Sequence, residues 1–404
     1  MKLFGYEFNK QKPVVKTPFD PNETIIKLFE LSRVELPAIV ERRNQDWVSF
    51  GDKNNYPQQL IKYLSTSAIH NAIVLTKAKM QSGNDTLFNG MTFDDFTVNL
   101  DPKNTEYLRM FYKDPSGCGI TLNELNYCLS YDWQIFGAMA IEIIWSVDFT
   151  RIAQVKHIDV SRIRSGKLDD DREVCSYYYS NNWNDTRNNT PLEIPAFNKD
   201  NKEDYRQLLY VKAYKPGLDY YGEPGYSSAL SWINIDSKMG EFHLSNIENG
   251  FSPSMSIKFY KKPGSPEERD EISRNVVKQF AGARNAGKAM VFFSDGKELA
   301  PDIDPIQTSN LDQMFLVLGE QVVQQIISGH RVTSPLLMGI ATPGKLGYSN
   351  ELATAWNLFD KEVIRPDQNV LERVLNKISL INGYDAVITI APLLTTEDLT
   401  LTKA

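Results

Sequence analysis

Two stretches of helical apolar spacing, separated by a compact insert, constrain this chain more than any other feature. From Tyr226 to Glu248 the residues Trp232, Ile235, Met239 and Phe242 recur at intervals of three, four and three, and Asn249-Gly250 supplies a helix stop. A helix of that length spans about 35 Å. Ser309 opens the second helix, with Asp312 three residues on as an acidic variant of the capping box. Its stripe is Leu311, Phe315, Leu318, Val322 and Ile326, running up to Gly329. The insert begins with a predicted strand over 254–260, in which Met255, Ile257 and Phe259 alternate with polar neighbours. Ser265-Pro266-Glu267-Glu268 then opens a helix, Ser265 capping and Pro266 at its first position, with Ile272, Val276 and Phe280 on one face. A strand over 289–293 and the tight turn Asp295-Gly296 follow. The region reads as a βαββ head on a stalk of two long helices.

The preceding half is α+β. The first 45 residues mix Pro13, Pro18, Pro21 and Pro37 with charged stretches and predict an extended arm, with at most a short helix over 23–32. Helical spacing starts at Tyr56-Pro57, with Leu60, Tyr63, Leu64, Ile69, Ala72, Ile73, Thr76 and Met80, and ends near Gly83. A second helix is predicted over 122–136, then strands over 138–146 and 151–158 with a turn at Val147-Asp148. The run Tyr177-Tyr178-Tyr179 and residues 207–214 read as further strands, and Tyr220-Tyr221-Gly222-Glu223-Pro224-Gly225 is turn chemistry.

Composition narrows the function classes. With 404 residues, 42% hydrophobic and 24% charged, the chain is long enough for two or three cores. No apolar run approaches the roughly 20 residues of a membrane span, and Met1-Lys2-Leu3-Phe4-Gly5-Tyr6-Glu7 does not read as a secretory signal. Cys118, Cys128 and Cys175 form no paired metal framework, and His70, His157, His243 and His330 lack metal-ligand spacing. A net charge of −7 argues against a broad basic face coating nucleic acid, though not against a channel through which DNA slides.

Motifs for chemistry fail on physical grounds. Gly282 to Ala289 nearly fits a phosphate-binding loop, with Lys288 in the lysine position. Ala289 stands where the magnesium-binding hydroxyl is needed, and the order is helix, loop, strand where strand, loop, helix is required. Asp169-Asp170-Asp171 are consecutive, so as strand residues they would point to alternate faces, and a solvated loop is expected. No nucleophile elbow occurs. No catalytic residue, metal or cofactor is expected.

The segments Tyr221-Gly222-Glu223-Pro224-Gly225-Tyr226-Ser227-Ser228-Ala229-Leu230, Asn285-Ala286-Gly287-Lys288 and Gly347-Tyr348-Ser349-Asn350-Glu351, in this order and spacing, carry a resemblance to the tailed-bacteriophage portal family. The resemblance is strongest from Tyr221 to Asn376 and weaker over residues 46–220. It implies an N-terminal arm (1–45), a wing domain (46–225), stem helix 1 (226–251), a clip (252–307), stem helix 2 (308–328), a tunnel loop (329–347), and a long return helix with a C-terminal wing segment (348–404). Pro366 is expected to bend or break the return helix. The short tail after Gly383 departs from the family by leaving little room for a crown.

By the same resemblance the chain is expected to form a homo-oligomeric ring, commonly a dodecamer, at a capsid vertex of the virion, after synthesis in the bacterial host cytoplasm. Double-stranded DNA would pass through it, without sequence readout, during packaging and ejection. The implied partners are the terminase large subunit, the major capsid protein or scaffold, and a head-tail adaptor. Physical reasoning supplies a mechanism: two stem helices cannot bury both long sides alone, so neighbouring copies would cover the rest and enclose a pore. Trp232, Ile235, Met239, Phe242, Phe315, Leu318 and Val322 are the expected stem packing residues. No Lys or Arg occurs between Glu298 and His330, while Asp302, Asp304, Asp312 and Glu320 do, so this helix would repel phosphate. His330, Arg331 and Lys345 are the expected DNA-contacting residues of the loop, and Lys258, Lys261 and Lys262 the expected partner surface of the clip. The alternatives are another ring-forming connector or channel component, or an enzyme processing nucleic acid.

Overall fold

The computed structural model describes residues 39–98, 102–249, 256–259, 265, 267, 270–271, 290–293, 311–340, 349–384 and 386–393. Among them the first elements are β1 (Ile39–Glu41), β2 (Val48–Phe50), α1 (Tyr56–Thr66), α2 (Ala68–Ser82), β3 (Thr86–Phe88), α3 (Phe93–Thr97), α4 (Pro102–Lys113) and α5 (Leu122–Phe136). Strands β4 (Ala138–Trp145), β5 (Ile152–Ile158), β6 (Ile163–Ser165), β7 (Ser176–Tyr179), β8 (Leu192–Pro195) and β9 (Arg206–Lys212) follow. The rest are α6 (Leu230–Asn249), β10 (Ser256–Phe259), β11 (Met290–Phe293), α7 (Leu311–Gly329), α8 (Ser349–Phe359), α9 (Arg365–Ile381) and β12 (Ile388–Ile390). The fold is α+β, as expected.

Two helix starts show a clear local cause. Thr121 and Glu124 form a reciprocal capping box at α5, and Gly137, with φ of 65°, ends it in the left-handed region. The single helical pattern expected from Tyr56 to Gly83 is two helices: Ser67 is extended, and its side chain accepts from the His70 amide to start α2.

Strand β4 is central in the antiparallel sheet β5-β4-β9. Its residues Met139, Ile141, Ile143 and Trp145 join Leu122, Leu125, Leu129 and Trp133 of α5 and Leu371, Val374, Leu375 and Ile378 of α9 in one core. Each such side chain, fully buried, contributes about 1.5–3 kcal/mol. Strand β12 pairs with β3, Ile388 opposite Phe88, and thereby returns the chain's last described segment to the wing. Asn376 fixes that return by donating to the Ile388 carbonyl at 2.7 Å and accepting from its amide at 2.8 Å.

The turn before α6 is built from the residues that carry the family resemblance. The Tyr221 hydroxyl donates to the Val48 carbonyl and accepts from the Ser165 amide at 3.1 Å, while its ring stacks on Phe50 at 4.1 Å. The Tyr226 hydroxyl donates to the Ile135 carbonyl at 2.9 Å. A Cβ at Gly222 would stand 2.2 Å from the Gly137 carbonyl oxygen, and one at Gly137 would stand 2.1 Å from that of Glu223. Only a glycine at each position lets these backbones cross so closely.

The insert's first strand and the strand after the glycine-rich loop pair in parallel, Ser256 opposite Met290 and Phe259 opposite Phe293. The expected third strand of the insert, the near-phosphate loop Gly282 to Ala289 and most of its helix lie outside the described residues. Pro366 does not end the return helix. A π-helical turn, Asp360–Ile364, links α8 to α9, and the Arg365 amide bonds to Asp360 five residues back. This shift accommodates a proline, which has no amide hydrogen to offer the carbonyl four residues earlier.

Candidate functional site: the stem and its foot

Helices α6 and α7, the two expected stem helices, pack on each other. Near the wing they are well covered: Ile233 on α6 and Val322, Ile326 and Ile327 on α7 are buried. Met239 reaches across, its Cε 3.8 Å from where a Cβ on Gly319 would sit. Of the stem residues expected from spacing, Val322 is buried, whereas Trp232, Ile235, Met239 and Leu318 are half-buried. The side chains of Phe242 and Phe315 lie outside the described residues. Farther from the wing, Leu244 is 57% exposed, Leu316 71% and Val317 55%. These three leave apolar surface uncovered at the end of the stem away from its foot.

At the foot the helices approach closely. A Cβ at Gly329 would lie 2.3 Å from the Cβ of Ala229. Gly329→Ala is therefore expected to cost about 1–3 kcal/mol by overpacking. Combining it with Ala229→Gly should recover most of that loss in thermal unfolding. An unchanged Tm in the single variant would contradict so tight a crossing.

His330 follows Gly329 and was expected in the loop to meet phosphate. It is instead buried, 2% exposed, with its Nε2 2.9 Å from Nδ1 of the fully buried His70 on α2. Tyr226 packs on both rings, with centroids at 4.6 Å from His70 and 4.7 Å from His330. Burial pushes the His70 imidazole down to about 3, and burial with the nearby Lys77 charge holds His330 well below the ordinary imidazole range. His330 is thus a neutral core residue, which removes it from the DNA-contacting set.

Arg331 has positive φ, 59°, and is exposed. Its guanidinium donates to the Glu362 carbonyl at 3.2 Å. Glu362 is the residue four positions before Pro366, so Arg331 serves a carbonyl that the proline cannot. Thr333 donates to the Ala355 carbonyl at 2.7 Å, and Val332 and Met338 are buried, so residues 331–338 of the expected tunnel loop are fastened to the return helix and wing. Lys345, Lys261 and Lys262 lie outside the described residues. Lys258 sits on β10 opposite Phe292, and its side chain is likewise outside them.

The remaining chemical clusters are bound up in structure. Asp169 accepts from the amides of Asp171 at 2.9 Å and Glu173 at 2.8 Å, which organises its own surface loop. No group of three or more metal-ligating side chains occurs among the described residues, and no described helix is long and apolar enough to cross a membrane.

No family model matches the sequence, and no curated protein matches it. Solved structures do. A chain in the neck of an empty gene transfer agent (GTA) particle, computed with C6 symmetry, superposes with a TM-score of 0.54 at 17% identity, covering 86% of each chain. A chain in the neck of the native GTA particle, computed with C12 symmetry, superposes at 0.52 and 15% identity, again over 86% of each. An HK97 family phage portal protein from Corynebacterium diphtheriae gives 0.45 at 12% identity, covering 82% of this chain and 95% of that one. The chain shares the fold of those GTA neck chains.

Proposed function

We propose that this chain is a portal subunit: copies close into a ring, a dodecamer, at the vertex of a phage-type capsid, and double-stranded DNA passes through the central channel during packaging and ejection. The observation that carries the reading is the distal stem. Leu244, Leu316 and Val317 are exposed on paired helices whose second member contains no Lys or Arg. A neighbouring copy would cover the apolar side, and a surface without cations facing the channel would not hold phosphate. Likeness to a neck chain in an assembly computed with C12 symmetry supports the same arrangement.

The subunit performs no catalysis in this reading. The terminase large subunit supplies the packaging energy and docks on the clip, with Lys258, Lys261 and Lys262 in its contact surface. The major capsid protein or scaffold surrounds the wing, and a head-tail adaptor binds after packaging. The stem residues Trp232, Ile235, Met239, Phe242, Phe315 and Leu318 line the contact between copies. Sedimentation of the purified chain at micromolar concentration and physiological salt should give a large closed oligomer, and a monomer under those conditions would defeat the reading.

Arg331 already serves the return helix, so Lys345 is the loop cation left to touch DNA. Its contact would be sequence-independent and salt-sensitive. Lys345→Ala should leave ring assembly unchanged and reduce packaging or genome retention. Packaging and retention at the normal rate would remove Lys345 from any role in gripping DNA.

A further inference from the structure

A neutral imidazole has one donor nitrogen and one acceptor nitrogen. His70 and His330 use one nitrogen each on their shared bond, and the outer pair, Nε2 of His70 and Nδ1 of His330, has no hydrogen-bond partner among the described residues. Either tautomer assignment therefore leaves one outer N–H without an acceptor and one outer lone pair without a donor. A proton arriving at that lone pair would create a buried cation whose new N–H has nothing to bond.

The surroundings offer such a cation no help. Lys77, on the same helix as His70, is buried and acts on His330 as a like charge; Asp367 of α9 interacts favourably with Lys77. Tyr226 contacts both rings, and its hydroxyl is committed to the Ile135 carbonyl. Tyr56 of α1 and Tyr131 of α5 act electrostatically on Tyr226, and Glu223 acts on Tyr56 while pairing with Lys215. Arg331, next in sequence after His330, is a further positive charge and is turned to the Glu362 carbonyl.

We propose that the His70–His330 pair is an acid-released clasp between the stem and the wing, whose opening takes up two protons, one on each ring. His330 directly follows α7, Tyr226 precedes α6 and His70 belongs to the wing helix α2, so the clasp joins both stem helices to the wing at one point. The inference rests on the geometry of the foot and is independent of ring closure.

The sign follows from linkage. Both rings are held below their ordinary value of 6.5 when closed. Above that value the closed and open forms are both neutral, and pH has no effect through this pair. As pH falls below it, the open form binds protons that the closed form refuses, so closure weakens progressively down to the closed-state values. For two rings the opening constant should rise about a hundredfold per pH unit well below 6.5, and about a thousandfold between pH 7.5 and 5.

Hydrogen exchange of the full chain, read by mass spectrometry on peptides covering 322–332 and corrected for intrinsic rate, tests this directly. Peptides of the α5 core around Leu125 and Leu129 serve as the reference for global opening. The clasp requires the 322–332 peptides to open with a slope near two protons below pH 6.5, with the α5 peptides changing less. A flat profile, or one that coincides with the α5 peptides, would overturn it. His70→Gln and His330→Gln should each reduce the slope to about one. If either variant fails to fold at neutral pH, the slope of the unmodified chain alone decides.

Discussion

Replacing Leu316 and Val317 together with aspartate should yield a folded monomer that no longer closes into rings. Both side chains are mostly exposed on α7, so the isolated subunit loses little by the exchange. Within a ring the same positions would be covered by the neighbouring stem. An unpaired carboxylate buried there costs several kcal/mol. The cost recurs at every interface of a closed assembly, so the loss of rings should be complete and not graded. Circular dichroism should match the unmodified chain, and sedimentation should show the single subunit. A double variant that still assembles normally would place the contact between copies elsewhere.

The largest expected loss of subunit stability lies at Arg164. This side chain is fully buried, and its guanidinium donates to the carbonyls of Ser161 at 3.0 Å, Ile163 at 2.7 Å and Asn54 at 2.7 Å, and to the Asn54 side chain. The group also lies 4.8 Å over the Trp183 ring. It thereby ties the segment between β2 and α1 to strand β6. Burial lowers its affinity for the proton to about 10, still far above neutrality, so the cation persists inside the fold. Arg164→Ala would remove four donated hydrogen bonds at once and open a cavity, a combination expected to cost about 3–5 kcal/mol. Arg164→Lys should recover little, because one ammonium cannot serve the same set of acceptors. Chemical denaturation measures both, and a loss below about 1 kcal/mol for the alanine variant would contradict this role.

The elements legible in the sequence were those with long, regular apolar spacing. Helix α5 has the bounds that its capping box and Gly137 dictate, and α6 and α7 fall where their stripes place them. Three-residue strands such as β3 and β12 are too short for periodicity, and their pairing joins residues about 300 positions apart in sequence. Spacing selected Trp232, Ile235 and Met239, which are half-buried in the single subunit, and did not select Ile233, which is fully buried because α6 packs against α1 as well as α7.

The foot was the least legible part of the site. A histidine followed by an arginine after an acidic helix reads as a basic loop, and residue type alone does not reveal burial. His330 meets a partner 260 residues away, and Arg331 meets a carbonyl 31 residues away. The signals that could have pointed there were Pro366, whose missing amide implies an unserved carbonyl at Glu362, and His70, a polar residue within the apolar stripe of α2.

Negative-stain images of the purified full chain viewed down the particle axis test ring formation and pore formation together. A portal subunit gives closed rings with a central hole and twelve copies around it. Monomers, or compact particles without a hole, at micromolar protein and physiological salt would contradict the assignment.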